Sequence, residues 1–536
     1  MIILKIFCLA VVCIGACVLH GFAEPVATNK VQSQGKPILE FIPQSSAPTF
    51  FDKKSELFLK KDLWWWERDK KWHPELDEIN VFHAVLQHKS VTERSWELGI
   101  GKGGQIYSMY STFGEAMAPS SPDSQWNDEV WQFTSIYEPL LATDLPANPD
   151  DKTQMKFANS YIHQSGIYTK DGLKPFYSPL LAEDYNEQDR SYSVLNWGQI
   201  PSASINRSGI LVYTKYRDLG AGVIEVTYVI YNFEDEPMTN LGPWGGVRTS
   251  VFPEHVISNP DGSYRYFTPW TYGYDKFEGC RANFEDTGGW AAVTANADNP
   301  YSHAIAVVFG KNLDKKGQHY GKPRYDCGDS RHGKRDYTVQ ATVILVKDKP
   351  GTPHMLRMYF VLGTLDKVAE KANQLADHAD YEPLNLTEAD TPLVSLYAKQ
   401  INKDTVLSRN GAGKLVCKVY AWPVNQSVPL FMMKNNVTGT HFVTTDPYAQ
   451  CEREPFKNPL KPGHESYEKY QNRIIYHPYR RKTDWVEFLG FVLPKDKADM
   501  KTYKYVPLSS ISAVKESFDA GEKLDANSLR VRLGDI

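Results

Sequence analysis

His163, Tyr231, Asn232, Arg248, His255 and Tyr264 bring together side chains able to take up a proton, return one and neutralise a carboxylate. That set suits removal of a proton α to a carboxyl group. The step is hard because the developing carbanion must spread its charge into the carboxylate, and an Arg or Asn paired with that carboxylate lowers the barrier. A His or Tyr takes the proton and gives one to the leaving oxygen. On a uronic acid within a polysaccharide the outcome is β-elimination, with Arg248 or Asn232 on the uronate and His163 or a tyrosine moving the proton. This route requires no cofactor. The plainer reading of each residue is structural: an Arg in a hairpin pairs with an acid, and a lone His is satisfied by a backbone carbonyl.

A different chemistry attaches to Glu115, Asp128 and Glu129, which stand among Trp126, Trp131 and Phe133. Paired carboxylates in unlike environments divide acid and base roles in glycosidic hydrolysis. Taken as a binding surface, Glu115, Trp126, Asp128 and Glu129 with Trp197 and Trp244 offer acids and aromatic planes to a sugar ring. A third reading is a non-catalytic glycan-binding protein, for which the load of 31 Tyr, 24 Phe and 13 Trp is suitable. The Gly-rich run around Lys102 invites a phosphate loop, but Gly103 replaces the hydroxyl that should follow the Lys, so a turn into a strand is expected.

Cys280, His319, Cys327 and His332 make a Cys2His2 set that could hold structural zinc, at a spacing unlike that of a standard finger. A disulfide between Cys280 and Cys327 is the simpler alternative, and Cys417 with Cys451 forms the second pair suggested by proximity in the chain. Calcium is the other structural metal compatible with the chain. No HExxH helix and no G-x-S-x-G elbow in a strand-turn-helix context is present.

These groups need a scaffold, and the chain reads as strands. In residues 209–233 two β-branched and aromatic runs flank Asp218-Leu219-Gly220-Ala221-Gly222, the composition of a hairpin turn. Similar runs occupy 303–310, 337–348 and 354–363. One good helix follows Thr364, where residues 365–379 space their apolar side chains helically. Together they predict a mainly β fold, a large antiparallel β-sandwich with a small C-terminal β-rich module; a β-propeller is the alternative, for which no repeat of blade period is visible.

The strand-only length, the loop Trp244-Gly245-Gly246-Val247-Arg248 and a His-bearing strand resemble secreted carbohydrate-active proteins with a galactose-mutarotase-like supersandwich. That resemblance implies a concave sugar-binding face. Further on, Gly439, His441, Phe442, Thr444, Thr445 and Asp446 resemble the G-x-H-F-x-T-T-D signature of small secreted lectin-like modules, which implies a carbohydrate- or surface-binding appendage.

The remaining features set the context. Residues 1–23 read as a signal peptide, with Lys5 ahead of an apolar run and a small-residue exit at Gly21-Phe22-Ala23, while Ile14-Gly15-Ala16-Cys17 also reads as a lipobox that would tether the chain through Cys17. A secreted or periplasmic location follows. Residues 24–75 form a linker, polar to about Thr49, and a Trp-rich strap; 76–398 form the β-rich catalytic domain, 399–512 the C-terminal module and 513–536 a charged tail. With 60 Lys+Arg against 64 Asp+Glu there is no basic stripe for nucleic acid, and no later run is apolar enough for an integral span. The partner expected is a polysaccharide, and Arg480, Arg481 and Lys482 favour an anionic one, uronic or sulfated. Asn206, Asn385, Asn425 and Asn436 head Asn-x-Ser/Thr triplets.

Overall fold

The computed structural model describes residues 41–51, 180–197, 209–233, 254–267, 287–311, 350–401, 404–449, 451–455, 460–464, 467–472, 474–481 and 483–494, together with separate strands between 56 and 177, 239 and 248, 319 and 346, and 503 and 532. Its centre is a ten-stranded antiparallel sheet. The strands are β1 (Leu180–Asn186), β2 (Ser191–Trp197), β3 (Ile210–Gly220), β4 (Val223–Asn232), β5 (Glu254–Ser258), β6 (Tyr264–Phe267), β7 (Trp290–Thr294), β8 (His303–Val308), β9 (His354–Thr364) and β10 (Asp380–Pro383). They run in the order β6-β5-β7-β8-β9-β4-β3-β2-β1, with β10 also on β9. One continuous sheet of this size is unlike the separate four-stranded blades of a propeller.

The predicted hairpin is β3–β4. Gly220, Ala221 and Gly222 turn it with φ of 87°, 48° and 80°. Positive φ suits glycine, and at Gly220 a Cβ would also stand 2.7 Å from the backbone of Phe50 and Phe51. The predicted helix is α1 (Leu365–Leu375), whose Leu365, Val368, Ala369, Ala372 and Leu375 pack on the sheet.

A second antiparallel sheet of eight strands follows: β11 (Leu393–Ile401), β12 (Asp404–Ser408), β13 (Lys414–Tyr420), β14 (Val428–Asn435), β15 (His441–Thr444), β16 (Thr483–Pro494), β17 (Tyr503–Pro507) and β18 (Ser528–Arg532). It rolls around a small core of Leu396, Val406, Val419, Leu430, Met432 and Leu489. Its edge strands are stapled by a side chain, since Asp404 accepts from the backbone N–H of His441 at 3.1 Å and lies 3.2 Å from its Nδ1. The outside of this roll packs face to face on the large sheet: Trp197, Tyr213 and Tyr231 share one core with Phe431, Met433 and Phe491. The fold is therefore mainly β and sandwich-like, as the strand pattern predicts. Fully burying each such side chain stabilises by about 1.5–3 kcal/mol.

Two readings of the sequence are corrected. Cys417 carries a free, buried thiol, so the bridge to Cys451 is not formed. The Cys417 side chain faces the small core, whereas Cys451 starts a separate ribbon, Cys451–Pro455 paired with Ile474–Arg481. Burial pushes that thiol up to about 12, leaving it unreactive. The polar stretch expected to be a linker up to about Thr49 lies on the large sheet from Phe41 to Phe51, because Phe41 enters the shared core and Phe50 the helix-side core. The signal peptide, the tethering Cys17 and the Trp-rich strap lie outside the described residues. Among the described residues no helix is long and apolar enough to cross a membrane.

Candidate functional site

Alternate residues of a strand share a face, and register shows what the large sheet places there. The end under the second sheet is apolar: Trp197, Leu211 and Tyr231 form one cross-strand row, and Leu195, Tyr213, Val229 and Met355 the next. The opposite end is apolar too, where Val256, Ala292, Ala306, Val361 and Val223 lie under and beside α1. Between them run two polar rows. Asp184, Ser193, Lys215, Thr227, Arg357 and Asp380 make up the first, and Asn186, Ser191, Arg217, Glu225 and Tyr359 the second.

Charges alternate in sign through this band. In the tight turn between β1 and β2, Asp189 pairs with Lys215 Nζ and with Arg217 Nε at 2.9 Å, and it accepts from Ser191 Oγ at 3.1 Å. Arg217 Nη1 lies 4.0 Å from Glu225 Oε1, and Glu225 Oε2 lies 3.9 Å from Arg357 Nε. Burial differs along this chain of ions. Lys215 and Arg217 keep 24% and 28% of their side-chain surface, whereas Glu225 and Arg357 keep 5% and 8%. Neither Glu225 Oε2 nor Arg357 Nε has a hydrogen-bond partner among the described residues. A buried pair at this separation recovers little of its desolvation cost, so stability alone does not explain the band.

The segment 41–51 covers the inner end. Phe41 meets Tyr213 edge-on at 5.3 Å, Arg357 Nη2 donates to the carbonyl of Pro43, and Ser45 Oγ lies 3.4 Å from the Tyr359 hydroxyl. Farther along, Ser46 Oγ reaches His378 Nδ1 at 3.0 Å, the Phe50 N–H donates to Leu219 O at 2.6 Å, and Arg190 stacks over Phe51 at 4.3 Å. Tyr359 itself donates to His378 O at 3.1 Å. Burial first and the Glu225 charge second raise the Tyr359 pKa, so this phenol is protonated at neutral pH.

The residues expected to act together fall in different places. The hydroxyl of Tyr231 donates to the carbonyl of Ser427 inside the core between the sheets. Asn232, its neighbour in β4, is buried on the other side of the sheet. His255 is on that other side as well, four strands away in the sheet order, about 19 Å across the strands at the usual spacing, and its cross-strand row meets the Val223 end of β4, opposite to Asn232. Burial pushes it down to about 3, and His303 likewise, so both are neutral at neutral pH. Tyr264 is half-buried, edge-on to Trp290 at 6.2 Å. Trp197 is fully buried and meets Tyr448 edge-on at 5.0 Å. Arg248 and Trp244 lie on the strands Gly246–Arg248 and Thr239–Trp244, opposite Tyr337 and Gln132. His319 and Cys327 lie on short strands opposite Val346 and Thr338. His163, Glu115, Trp126, Asp128, Glu129, Cys280 and His332 lie outside the described residues, among which no group of three metal-ligating side chains occurs.

The lectin-like signature has visible structural work. His441 completes the staple to Asp404, Phe442 packs against the shared core, Thr444 Oγ1 accepts from the Asp446 N–H at 2.9 Å, and Asp446 accepts from the Tyr448 N–H at 2.9 Å. These bonds aim Tyr448 at Trp197.

Lys215, Arg217, Glu225, Arg357 and Tyr359 were not among the residues singled out from the sequence. A signal for them exists. Arg357 interrupts the apolar run Met355-Leu356-Arg357-Met358-Tyr359-Phe360, and Glu225 and Lys215 occupy the inward alternation of their strands.

No family model and no curated protein matches the chain. Among solved structures, it is similar to a protein assigned as an aldose 1-epimerase from Klebsiella pneumoniae subsp. pneumoniae MGH 78578, at 10% identity and a TM-score of 0.25, covering 61% of this chain and 92% of that one. A protein with the same assignment from Escherichia coli K12 gives 10% identity and a TM-score of 0.26, over 51% of this chain and 97% of that one. A polysaccharide lyase gives 10% and 0.24, over 75% of this chain and 44% of that one. Likeness at this level assigns no activity.

Proposed function

We propose that this chain is a carbohydrate-active protein that takes an acidic polysaccharide at the charged band, and that its reaction is β-elimination at a uronic acid. The observation supporting the reading is the cradle in which Lys215 and Arg217 hold a single carboxylate, that of Asp189, at the more open end of the band. An ammonium has three N–H donors and a guanidinium five, more than Asp189 engages. A uronate seated against the remaining donors has its charge neutralised, which lowers the barrier to removal of its C5 proton. In this reading Glu225 receives that proton, and Tyr359, turned from His378 O, gives one to the leaving oxygen as the C4–O bond breaks and the C4=C5 bond forms. Pro43 and Ser45 cover Arg357 and Tyr359, so this segment must shift for a sugar to reach them.

The test is to incubate the chain with uronic, sulfated and neutral polysaccharides, following ultraviolet absorbance of unsaturated ends and total reducing ends together. Both should rise on a uronic substrate, and Arg217→Ala should lower the rate on the order of 100-fold, the scale of a lost charge-stabilising donor. Reducing ends without absorbance would replace elimination by hydrolysis. Binding without either signal would leave a glycan-binding protein, and activity indifferent to Lys215 and Arg217 would remove the band from the account.

A further inference from the structure

The Asn-x-Ser/Thr triplets differ sharply in what surrounds them. Asn425 Nδ2 donates to Asn385 Oδ1 at 2.7 Å, and Asn425 Oδ1 accepts from the Leu386 N–H at 3.4 Å. Ser427, the hydroxyl residue of the Asn425 triplet, is buried beside the Tyr231 hydroxyl at 3.3 Å. A sugar on Asn425 would have to break this joint. Asn385 shares it, and the hydroxyl of Thr387 in its triplet donates to Asp390.

Asn436 is placed otherwise. It stands in the tip of the β14–β15 hairpin, closed by the Lys434–His441 pair. The neighbouring residue ties the tip down: Asn435 Oδ1 accepts from the N–H groups of Val437 at 2.8 Å and Thr438 at 3.1 Å, and Asn435 exchanges backbone bonds with Gly439 and Thr440, both 2.8 Å. Asn436 is thereby left exposed in a fixed loop, and Val437 beside it is 70% exposed. A Cβ built on Gly439 meets nothing within 4 Å, so there is open space beyond the tip. Thr438 Oγ1 accepts from the Thr440 N–H at 3.3 Å and keeps its own proton to donate.

We propose that Asn436 is a modification site, the acceptor of an N-linked glycan, and that Asn425 is not one. The step joins Asn436 Nδ2 to the anomeric carbon of a lipid-pyrophosphate-linked oligosaccharide; the bond from that carbon to the pyrophosphate oxygen breaks, the lipid pyrophosphate leaves, and the amide gives up one proton. The proposal needs the chain to enter a secretory pathway but is independent of the reaction assigned to the charged band.

To test it, the full chain is expressed behind its own N-terminus in a eukaryotic secretory cell. Peptide masses are then compared before and after enzymatic deglycosylation in H2(18)O, which converts a glycosylated Asn into labelled Asp. The Asn436 peptide should carry the label, N436Q and T438A should each lose one glycan's mass, and N425Q should lose none. An unmodified Asn436 in exported protein, a glycan on Asn425, or a chain retained unglycosylated in the cytosol would each overturn the proposal.

Discussion

Strands β3, β4 and β9 carry apolar side chains at both ends of one face and charged ones in the middle, and the two zones obey different energetics. At the ends, Trp197, Tyr213 and Tyr231 are held by apolar burial and ring contacts, with the Tyr231 hydroxyl bonded to Ser427 O and the Tyr213 hydroxyl buried without a hydrogen-bond partner among the described residues. In the middle, Glu225 and Arg357 are nearly as buried yet meet at 3.9 Å, longer than a charge-assisted hydrogen bond. Desolvation is incurred there without full return. The difference shows that burial alone does not distinguish the two zones of this sheet; the buried charge in the middle does.

Four measurements bear on this contrast. The largest effect belongs to the apolar end, where Trp197→Ala removes the partner of Tyr448 and should cost about 4 kcal/mol in denaturant unfolding, the scale of a large aromatic truncation. A loss below about 1 kcal/mol would show that the sheets are not held together there. In the band, Glu225→Ala leaves the Arg357 charge buried and should cost about 3 kcal/mol, whereas the double change Glu225→Leu with Arg357→Met should be neutral or stabilising. Should the double variant be as unstable as the single one, the band is a structural asset and the contrast fails.

Next comes pH, which probes charge on the opposite face. His255 has a folded pKa of about 3 against an unfolded value near 6.5, so the unfolded chain takes up its proton first as pH falls. Its contribution is therefore fully present above pH 6.5 and is lost as pH drops towards 3. By pH 5 the loss from this residue is about 2 kcal/mol. His255→Phe should lessen the decline between pH 8 and pH 5 by that amount, and an unchanged profile would mean that His255 is not held neutral. Smallest of all, Lys367→Ala breaks an exposed pair with Glu370 on α1 and should leave the denaturant midpoint unchanged. A shifted midpoint would mean that even surface charge matters here.

Much of the fold was legible. The β3–β4 hairpin announced itself through alternation and through Gly220 and Gly222 in its turn, and α1 through its apolar spacing after Thr364. Both are local signals, readable within about twenty residues. The site was much less so. Tyr231 and Trp197 look alike in sequence whether they stack on a sugar or on Phe491 and Tyr448, and only the second sheet decides between those uses. The lectin-like signature was visible as residues, while its part in aiming Tyr448 was not. The stretch up to about Thr49 was read by its polarity as a linker, while Phe41 within it and Phe50 just beyond it carried the opposite message.

By itself the sequence determined the mainly β character, the alternation that gives each strand a polar or apolar side, the tight hairpin and the helix, since each depends on backbone preferences and periodicity over a short span. Tertiary structure alone decided that β9, more than a hundred residues beyond β4, pairs beside it with Arg357 opposite Thr227 and Tyr359 opposite Glu225. Had the register slipped by one residue, every side chain of β9 would have changed faces and neither polar row would exist. Such a pairing is fixed by the summed burial of both sheets and not by any local run, which is why the charges of one site could be seen in the sequence and their meeting could not.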